Sequence, residues 1–380
     1  MPADTRGEHA GLDGCEDLGG QEYVAQKEWV FPIRPSMRLM RDVIVFCAER
    51  MARYNPVNIS GYHISEAGAN AVQEVAFTMA NGIAYVEEVT RAGVPVDAFA
   101  SRLAFYFIAQ ADFFEEVAKF RAARRIWAKI IRERFGAAKP ESMRLRFHCQ
   151  TAAATLTKAQ PMVNVVRTAF QALSAVLGGA QSLHTNGLDE AYAIPSEEAM
   201  KLALRTQQVI AEETGVPEVI DPLGGSYYVE ALTDRIEAEV LAILRKVDAM
   251  GGTIRAIEEG YFQREIADNA YQIARRKASG EQRVIGVNVH VEPHEPPPIP
   301  IHRVDPAVEA RQVAAVRAVR ARRAGPRVAL LLDRLAAEAR DPAVNLMPTT
   351  IELVKARATL GEIVARLRGV FGSYVERPIF

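Results

Sequence analysis

RLAFYFIAQADFFEEVAKFRAARRIWAK, residues 102–129, passes from one structural period to another. Arg102–Ala109 is an apolar, aromatic run of strand length, rich in residues that fit a pleated surface. Asp112 then stands where a helix needs an N-cap, since its carboxylate can accept from the free N–H groups of a first turn. Beyond it Phe114, Val117, Phe120, Trp127 and Ile131 recur along one stripe, the segment runs to Phe135, and Gly136 closes it. A strand handed over to a helix across a short polar link is a β/α unit.

Working outward, the same alternation recurs. Val57–His63 precedes a helical segment over Ala69–Ala92 closed by Gly93, and Met143–His148 precedes one around Pro161–Leu177. Ala180–His184 precedes a helix capped by Ser196, with Glu197 and Glu198 in its positive first turn and Gly215 at its end. Repeated strand–helix alternation implies right-handed parallel units. Such units admit two architectures, part of a (β/α)8 barrel or a small doubly wound sheet. The polar residues arbitrate: His63, Gln110, His148 with Gln150, and His184 with Asn186 fall at or just beyond the C-terminal ends of the runs, where barrel enzymes carry their chemistry. The reading is an α/β chain, the C-terminal part of a (β/α)8 barrel with about four β/α units over residues 21–288.

The flanks differ in composition. Residues 1–20 are Gly-rich, acidic and aperiodic, and are expected to be unstructured. Residues 289–305, HVEPHEPPPIPIHRVDP from His290 on, form a Pro-rich linker or surface strap. Its His290, His294 and His302 with Glu292 and Glu295 match no standard metal-ligand spacing, so no metal site is assigned. Residues 306–380 carry Ala, Arg, Leu and Val at helical spacing and read as a helical C-terminal extension.

With 380 residues, 49% of them hydrophobic, the chain can bury a large core, and a net charge of −1 offers no general attraction to nucleic acid or an anionic membrane. The Arg121, Arg124 and Arg125 cluster reads as a solvated helix face. Three scattered cysteines make neither a disulfide framework nor a metal knuckle, which points to a reducing compartment. No leader pattern and no spanning apolar run is visible, so a cytoplasmic location is expected. There is no Walker loop, GxSxG elbow, HExxH or Rossmann fingerprint. His148 and Cys149 are neighbours, but adjacent strand side chains point to opposite faces, which argues against a thiolate–imidazole pair.

The stretches AQKEWVFPIRPSMR (25–38), NISGYHISEAGA (58–69), residues 102–129 above, RLRFHCQTAAATLT (144–157), VVRTAFQALSAVLGGAQSLHTNGLDEA (165–191) and DPLGGSYYVE (221–230) carry a specific resemblance. Together they resemble the large, substrate-binding subunit of adenosylcobalamin-dependent acyl-CoA mutases, the methylmalonyl-CoA mutase family, and within it the isobutyryl-CoA and 2-hydroxyisobutyryl-CoA type. The resemblance implies an isomerase in which the barrel threads an acyl-CoA along its axis and the cofactor supplies a radical for migration of the thioester group. Carried over position by position, His63 would hydrogen-bond the thioester carbonyl as the catalytic residue. Gln26, Arg102, His148, Gln150, Gln181 and Ser182 would bind substrate. Ala25, Glu66, Ala153, Glu190 and Ala193 would face the cofactor. Ala104 stands where the family often has Ser, and Ala153 where it often has Gly.

Gln26 decides the expected substrate. Methylmalonyl-CoA enzymes carry Arg there, a bidentate partner for a free carboxylate, whereas isobutyryl-type enzymes carry Gln. A neutral amide in a dry site would leave that carboxylate uncompensated. The resemblance also implies partners: a small cobalamin-binding subunit, since the DxHxxG cobalt-ligating motif is absent here, and a G-protein chaperone of the mutase. In this family the barrel begins upstream, so the chain reads as lacking the N-terminal half-barrel, with residues 1–20 as an unrelated start. Two functions follow from that: contribution to a mutase large subunit, or a non-catalytic remnant that at most binds a partner.

Overall fold

A computed structural model describes residues 15–16, 23–293 and 299–376. Five strands, β1 (Cys15–Glu16), β2 (Val57–Ser60), β3 (Leu103–Ala109), β4 (Phe147–Thr151) and β5 (Ser182–His184), form one parallel sheet in the order β1-β2-β3-β4-β5. Strictly sequential order means every crossover steps the same way, whereas a doubly wound sheet reverses at a switch point. The five described strands contain no such reversal, which is consistent with part of an α/β barrel.

Between the strands lie α1 (Ile33–Arg50), the five-residue α2 (Tyr62–Glu66), α3 (Ala71–Arg91), α4 (Phe113–Lys129) and α5 (Val163–Leu177); α6 (Glu197–Glu213) follows β5. The N-caps act as expected: the Asp112 side chain accepts from Glu115 N–H and that of Ser196 from Ala199 N–H. Asn70 and Gln73 close a reciprocal capping box at the start of α3. A π turn, Ile130–Arg134, rather than more α-helix, finishes the segment after α4.

Register sorts the strands by parity. Pairs such as Phe105–Phe147 and Cys149–Leu183 align odd residues with odd, and Tyr106–His148 and Gln150–His184 align even with even. Because strand side chains alternate, all odd positions share one face. That face is Val57, Ile59, Leu103, Phe105, Phe107, Phe147, Cys149 and Leu183, and it carries the core: the Phe105 and Trp127 rings sit 4.8 Å apart and Phe120 stacks on Phe147 at 5.0 Å. Burying rings of this size makes the helix side the main source of stability.

Three expectations change. Residues 1–20 are not wholly without structure, since Cys15 and Glu16 pair in parallel with Val57 and Asn58. The run expected over Val57–His63, β2, ends at Ser60, and His63 lies on α2 because Gly61 turns the chain out of the sheet. The run expected over Met143–His148, β4, continues to Thr151, so His148 lies inside the strand.

After α7 (Tyr227–Ala249), α8 (Thr253–Glu258) and α9 (Tyr261–Ser279) come four helices, α10 (Pro306–Arg322), α11 (Gly325–Ala339), α12 (Met347–Lys355) and α13 (Leu360–Phe371). The last three build a second apolar cluster from Leu331, Leu335, Leu346, Leu353, Ile363 and Leu367, joined by Phe31 just ahead of α1. Polar bonds lock it to α1: Arg38 Nη1 donates to Ala339 O at 2.5 Å, and Asp42 Oδ2 accepts from Leu346 N–H at 3.1 Å.

Candidate functional site

The even face of the sheet is the polar one. It presents Asn58 and Ser60 from β2, Tyr106 from β3, His148 and Gln150 from β4, and Ser182 and His184 from β5, with Ala104 and Ile108 between them. His148, Gln150, Ser182 and His184 are all half-buried, so this face remains open to a ligand.

One carboxamide organises it. Gln150 Nε2 donates to Tyr62 Oη at 2.9 Å and to Asn186 Oδ1 at 2.8 Å, while its Oε1 accepts from the Tyr106 hydroxyl. Asn186 is itself fixed, its Nδ2 donating to Thr151 O at 2.7 Å. His148 Nδ1 pairs with the Ser182 hydroxyl. The Tyr106 ring lies between the two histidines, its centroid 5.0 Å from that of His148 and 6.0 Å from that of His63.

His63 enters from α2. Its Nδ1 lies 3.1 Å from Ser60 Oγ, and burial lowers its pKa to about 4, so the imidazole is neutral near pH 7. With the Ser60 hydroxyl donating to Nδ1, the neutral ring would carry its proton on Nε2 and have one N–H to offer. Burial, with the nearby Glu66 carboxylate adding to it, also pushes the Tyr62 phenol up, so it stays a neutral hydroxyl. Burial alone lowers His184. On the opposite face Cys149 is fully buried and its thiol is pushed well up by burial, which removes it as a nucleophile.

Above this floor a second group gathers at the C-terminal rim. Glu66 Oε2 accepts from Ala154 N–H at 2.9 Å. Burial, with Glu190 adding to it, lifts the Glu66 carboxyl to about 7 against the opposing bonds from Ala154 and Ala153. Burial and Asp189 likewise raise Glu190. Ala193 N–H donates to Asp189 O at 3.3 Å in the same turn.

The expected site residues thus divide. His63, His148, Gln150 and Ser182 share the polar face, and Glu66, Ala153, Glu190 and Ala193 share the rim. Arg102 lies at the opposite, N-terminal end of β3 beside Arg146, whose pKa burial and Arg102 both lower. Gln181 does not join the face: it precedes β5, is exposed, and spends its carboxamide on the backbone of Phe147 at 2.7 Å and Gly179 at 2.7 Å. Ala25 and Gln26 lie in the turn ahead of α1, where Gln26 is exposed and the neighbouring Tyr23 and Trp29 pack on Tyr374.

Tyr62 and Tyr106 were not singled out from sequence. Tyr106 left a signal, as the one residue with a polar tip in the apolar run LAFYFIA. Among the described residues no His, Cys, Asp and Glu side chains converge as metal ligands, and His294 and Glu295 lie outside them. No described helix is long and apolar enough to cross a membrane.

The family model for methylmalonyl-CoA mutase matches residues 15–373. The chain belongs to the methylmalonyl-CoA mutase family. The match takes in the Pro-rich stretch and the C-terminal helices as well as the sheet, a wider span than the motifs alone indicated. The chain is 63% identical over 360 residues to a 2-hydroxyisobutanoyl-CoA mutase large subunit from Aquincola tertiaricarbonis, covering 95% of this chain and 64% of that protein. It is 42% identical to methylmalonyl-CoA mutase of Rhizobium meliloti, covering 94% of this chain and 50% of that one, and 36% identical to the mitochondrial human enzyme, covering 93% and 47%. This member of the methylmalonyl-CoA mutase family therefore spans about half to two thirds of the length of these relatives.

Proposed function

We propose that the chain forms the C-terminal part of a (β/α)8-barrel subunit of a cobalamin-dependent mutase that isomerises a short branched acyl-CoA lacking a free carboxylate, isobutyryl-CoA or its 2-hydroxy form. The observation that carries this reading is the polar face itself. It offers neutral hydrogen-bonding groups, His63, Tyr62, Tyr106 and Gln150, and no activated nucleophile, which suits a reaction in which the protein positions and polarises while the cofactor reacts. His63, neutral and held at Nδ1 by Ser60, donates to the thioester oxygen, and His148 and Ser182 line the path of the acyl-CoA.

The rim fits the cofactor's chemistry. Glu66 Oε1 and Asp189 Oδ1 are buried without hydrogen-bond partners, an unusual state for carboxylate oxygens. A ligand rich in amide N–H groups, as the corrin periphery is, would satisfy Glu66 Oε1, and the small side chains of Ala153 and Ala193 would give it room. When bound, adenosylcobalamin supplies a carbon radical; the chain's residues orient the acyl group and exclude water from it. A separate small subunit would bring the cofactor, in keeping with the relative from Aquincola being a large subunit.

The test is to purify the chain with a cobalamin-binding subunit and adenosylcobalamin, and to assay three interconversions: isobutyryl-CoA with n-butyryl-CoA, 2-hydroxyisobutyryl-CoA with 3-hydroxybutyryl-CoA, and methylmalonyl-CoA with succinyl-CoA. Turnover in either of the first two, abolished in His63→Ala, supports the reading. Turnover of methylmalonyl-CoA alone, or no acyl-CoA binding by the folded complex, rejects it.

A further inference from the structure

The end of β3 leaves two backbone groups that no strand can satisfy. Odd residues of β3 bond towards β4, Phe105 N–H donating to Arg146 O and Ala152 N–H to Ala109 O, each at 2.9 Å. Even residues face β2, whose last rung is Gly61 N–H to Tyr106 O at 2.7 Å. There the chain leaves the sheet to form α2. The next even residue, Ile108, is fully buried, and its N–H and C=O point to where β2 has ended. Buried backbone groups of this kind demand partners.

Two charged side chains supply them. Glu74 of α3 accepts from Ile108 N–H at 2.9 Å, and Lys119 of α4 donates from Nζ to Ile108 O at 2.8 Å. The two close on each other, Nζ to Glu74 Oε2 at 2.7 Å, and Glu116 takes a further Nζ bond at 2.5 Å. All three side chains have zero exposure. An apolar trio would cost less to bury, but it would leave Ile108 unsatisfied. The Glu74 side chain also abuts the turn: a Cβ on Gly61 would lie 2.9 Å from Glu74 Cγ and 2.4 Å from Thr78 Oγ1.

We propose that Glu74 and Lys119 are positioning residues: standing in for the missing rung of β2, they let the chain turn at Gly61 and hold α2, and with it Tyr62 and His63, against the polar face. The inference takes from the functional reading only the choice of His63 as the side chain that matters. Its geometry is independent of which reaction follows. Glu116 balances the Lys119 charge without touching Ile108, which makes it the internal control.

The experiment records histidine ring NMR signals of the full chain as wild type, Lys119→Met and Glu116→Gln. Lys119→Met should shift or broaden the His63 signals while those of exposed His302 stay in place, and Glu116→Gln should leave His63 unchanged. An undisturbed His63 in folded Lys119→Met, or an equal disturbance in Glu116→Gln, overturns the proposal. Should Lys119→Met fail to fold, amide exchange in the wild type decides. Ile108 N–H should then exchange as slowly as the laddered amide of Phe107, and exchange at the rate of an open strand end overturns it. No turnover enters either measurement, so a failed mutase assay and a failed positioning test are separate results.

Discussion

Tyr62 and Tyr106 stack with their ring planes 9° apart and centroids 4.8 Å apart, and both hydroxyls meet the carboxamide of Gln150. The pair joins a helix to a strand through one amide, so removing that amide strands groups on both. Gln150→Leu keeps the volume and deletes the bonds to Tyr62, Tyr106 and Asn186. The expected loss is about 2–3 kcal/mol, the scale for leaving buried polar groups unpaired. Urea denaturation would show it, with a change in near-UV dichroism reporting the tyrosine pair. A variant as stable as wild type would mean that the network contributes nothing to the fold.

Gly61 is required for space. Its φ of −95° suits any residue, but an added methyl meets Thr78 Oγ1, Glu74 Cγ and the Phe107 ring at 3.2 Å or less. Gly61→Ala should destabilise by about 1–3 kcal/mol through overpacking. Thr78→Ser/Gly61→Ala retains the hydroxyl clash and should not recover, whereas Thr78→Ala/Gly61→Ala should recover part of the loss. Thermal melts of the three variants check this.

The rim sets an identifiable pH response. Glu66 has a folded-state pKa raised to about 7 from an ordinary 4.5, so the folded chain holds the extra proton and this residue's stabilisation is complete below 4.5 and lost as pH rises through 7. His63 has the opposite sign: lowered from 6.5 to about 4, it contributes above 6.5 and loses that contribution as pH falls through 4. Glu74, also raised to about 7 by burial, loses its contribution in the same window, so Glu66→Gln should reduce the fall in Tm between pH 4.5 and 7 and leave the acid limb intact. Parallel wild-type and variant curves across that window would assign the decline to another group.

Gln26→Arg tests the substrate class. In the assembled mutase the new guanidinium should improve handling of a carboxylate-bearing acyl-CoA by about tenfold or more in kcat/KM, the scale of one charge-assisted bidentate contact. Competition between methylmalonyl-CoA and isobutyryl-CoA before and after the substitution measures it. An unaltered ratio would place the exposed Gln26 outside the acyl pocket.

Much of this architecture was legible because each β/α unit announces itself twice, by a strand-length apolar run and by a capped helix after it. Asp112 and Ser196 cap their helices as their chemistry dictates, and Val117, Phe120, Trp127 and Ile131 of the stripe are buried, whereas Phe114 at its start is exposed. What escaped was set by long-range partners. His63 looked like the end of a strand because nothing local reveals that Ile108 receives Glu74 and Lys119 in place of a neighbouring strand. The substrate-facing role expected of Gln181 rested on its position in a motif, and position alone does not disclose that its carboxamide turns to the backbone of Phe147 and Gly179. Tyr106 carried a polar tip among phenylalanines, but its role became readable once register placed it opposite His148. Glu66 and Glu190, far apart in sequence, come close enough at one rim for their charges to interact, which their separation conceals.

The parity of the strands has a consequence for how such a protein can change. In β3 Phe105 and Phe107 pack against the helices while Tyr106 lies on the polar face, so under the proposed function a substitution at 106 would alter what is recognised while Phe105 and Phe107 keep the helices in place. New substrate preferences could then be sampled on that face without first dismantling the scaffold. A single inserted residue, by contrast, would exchange the two duties and forfeit both.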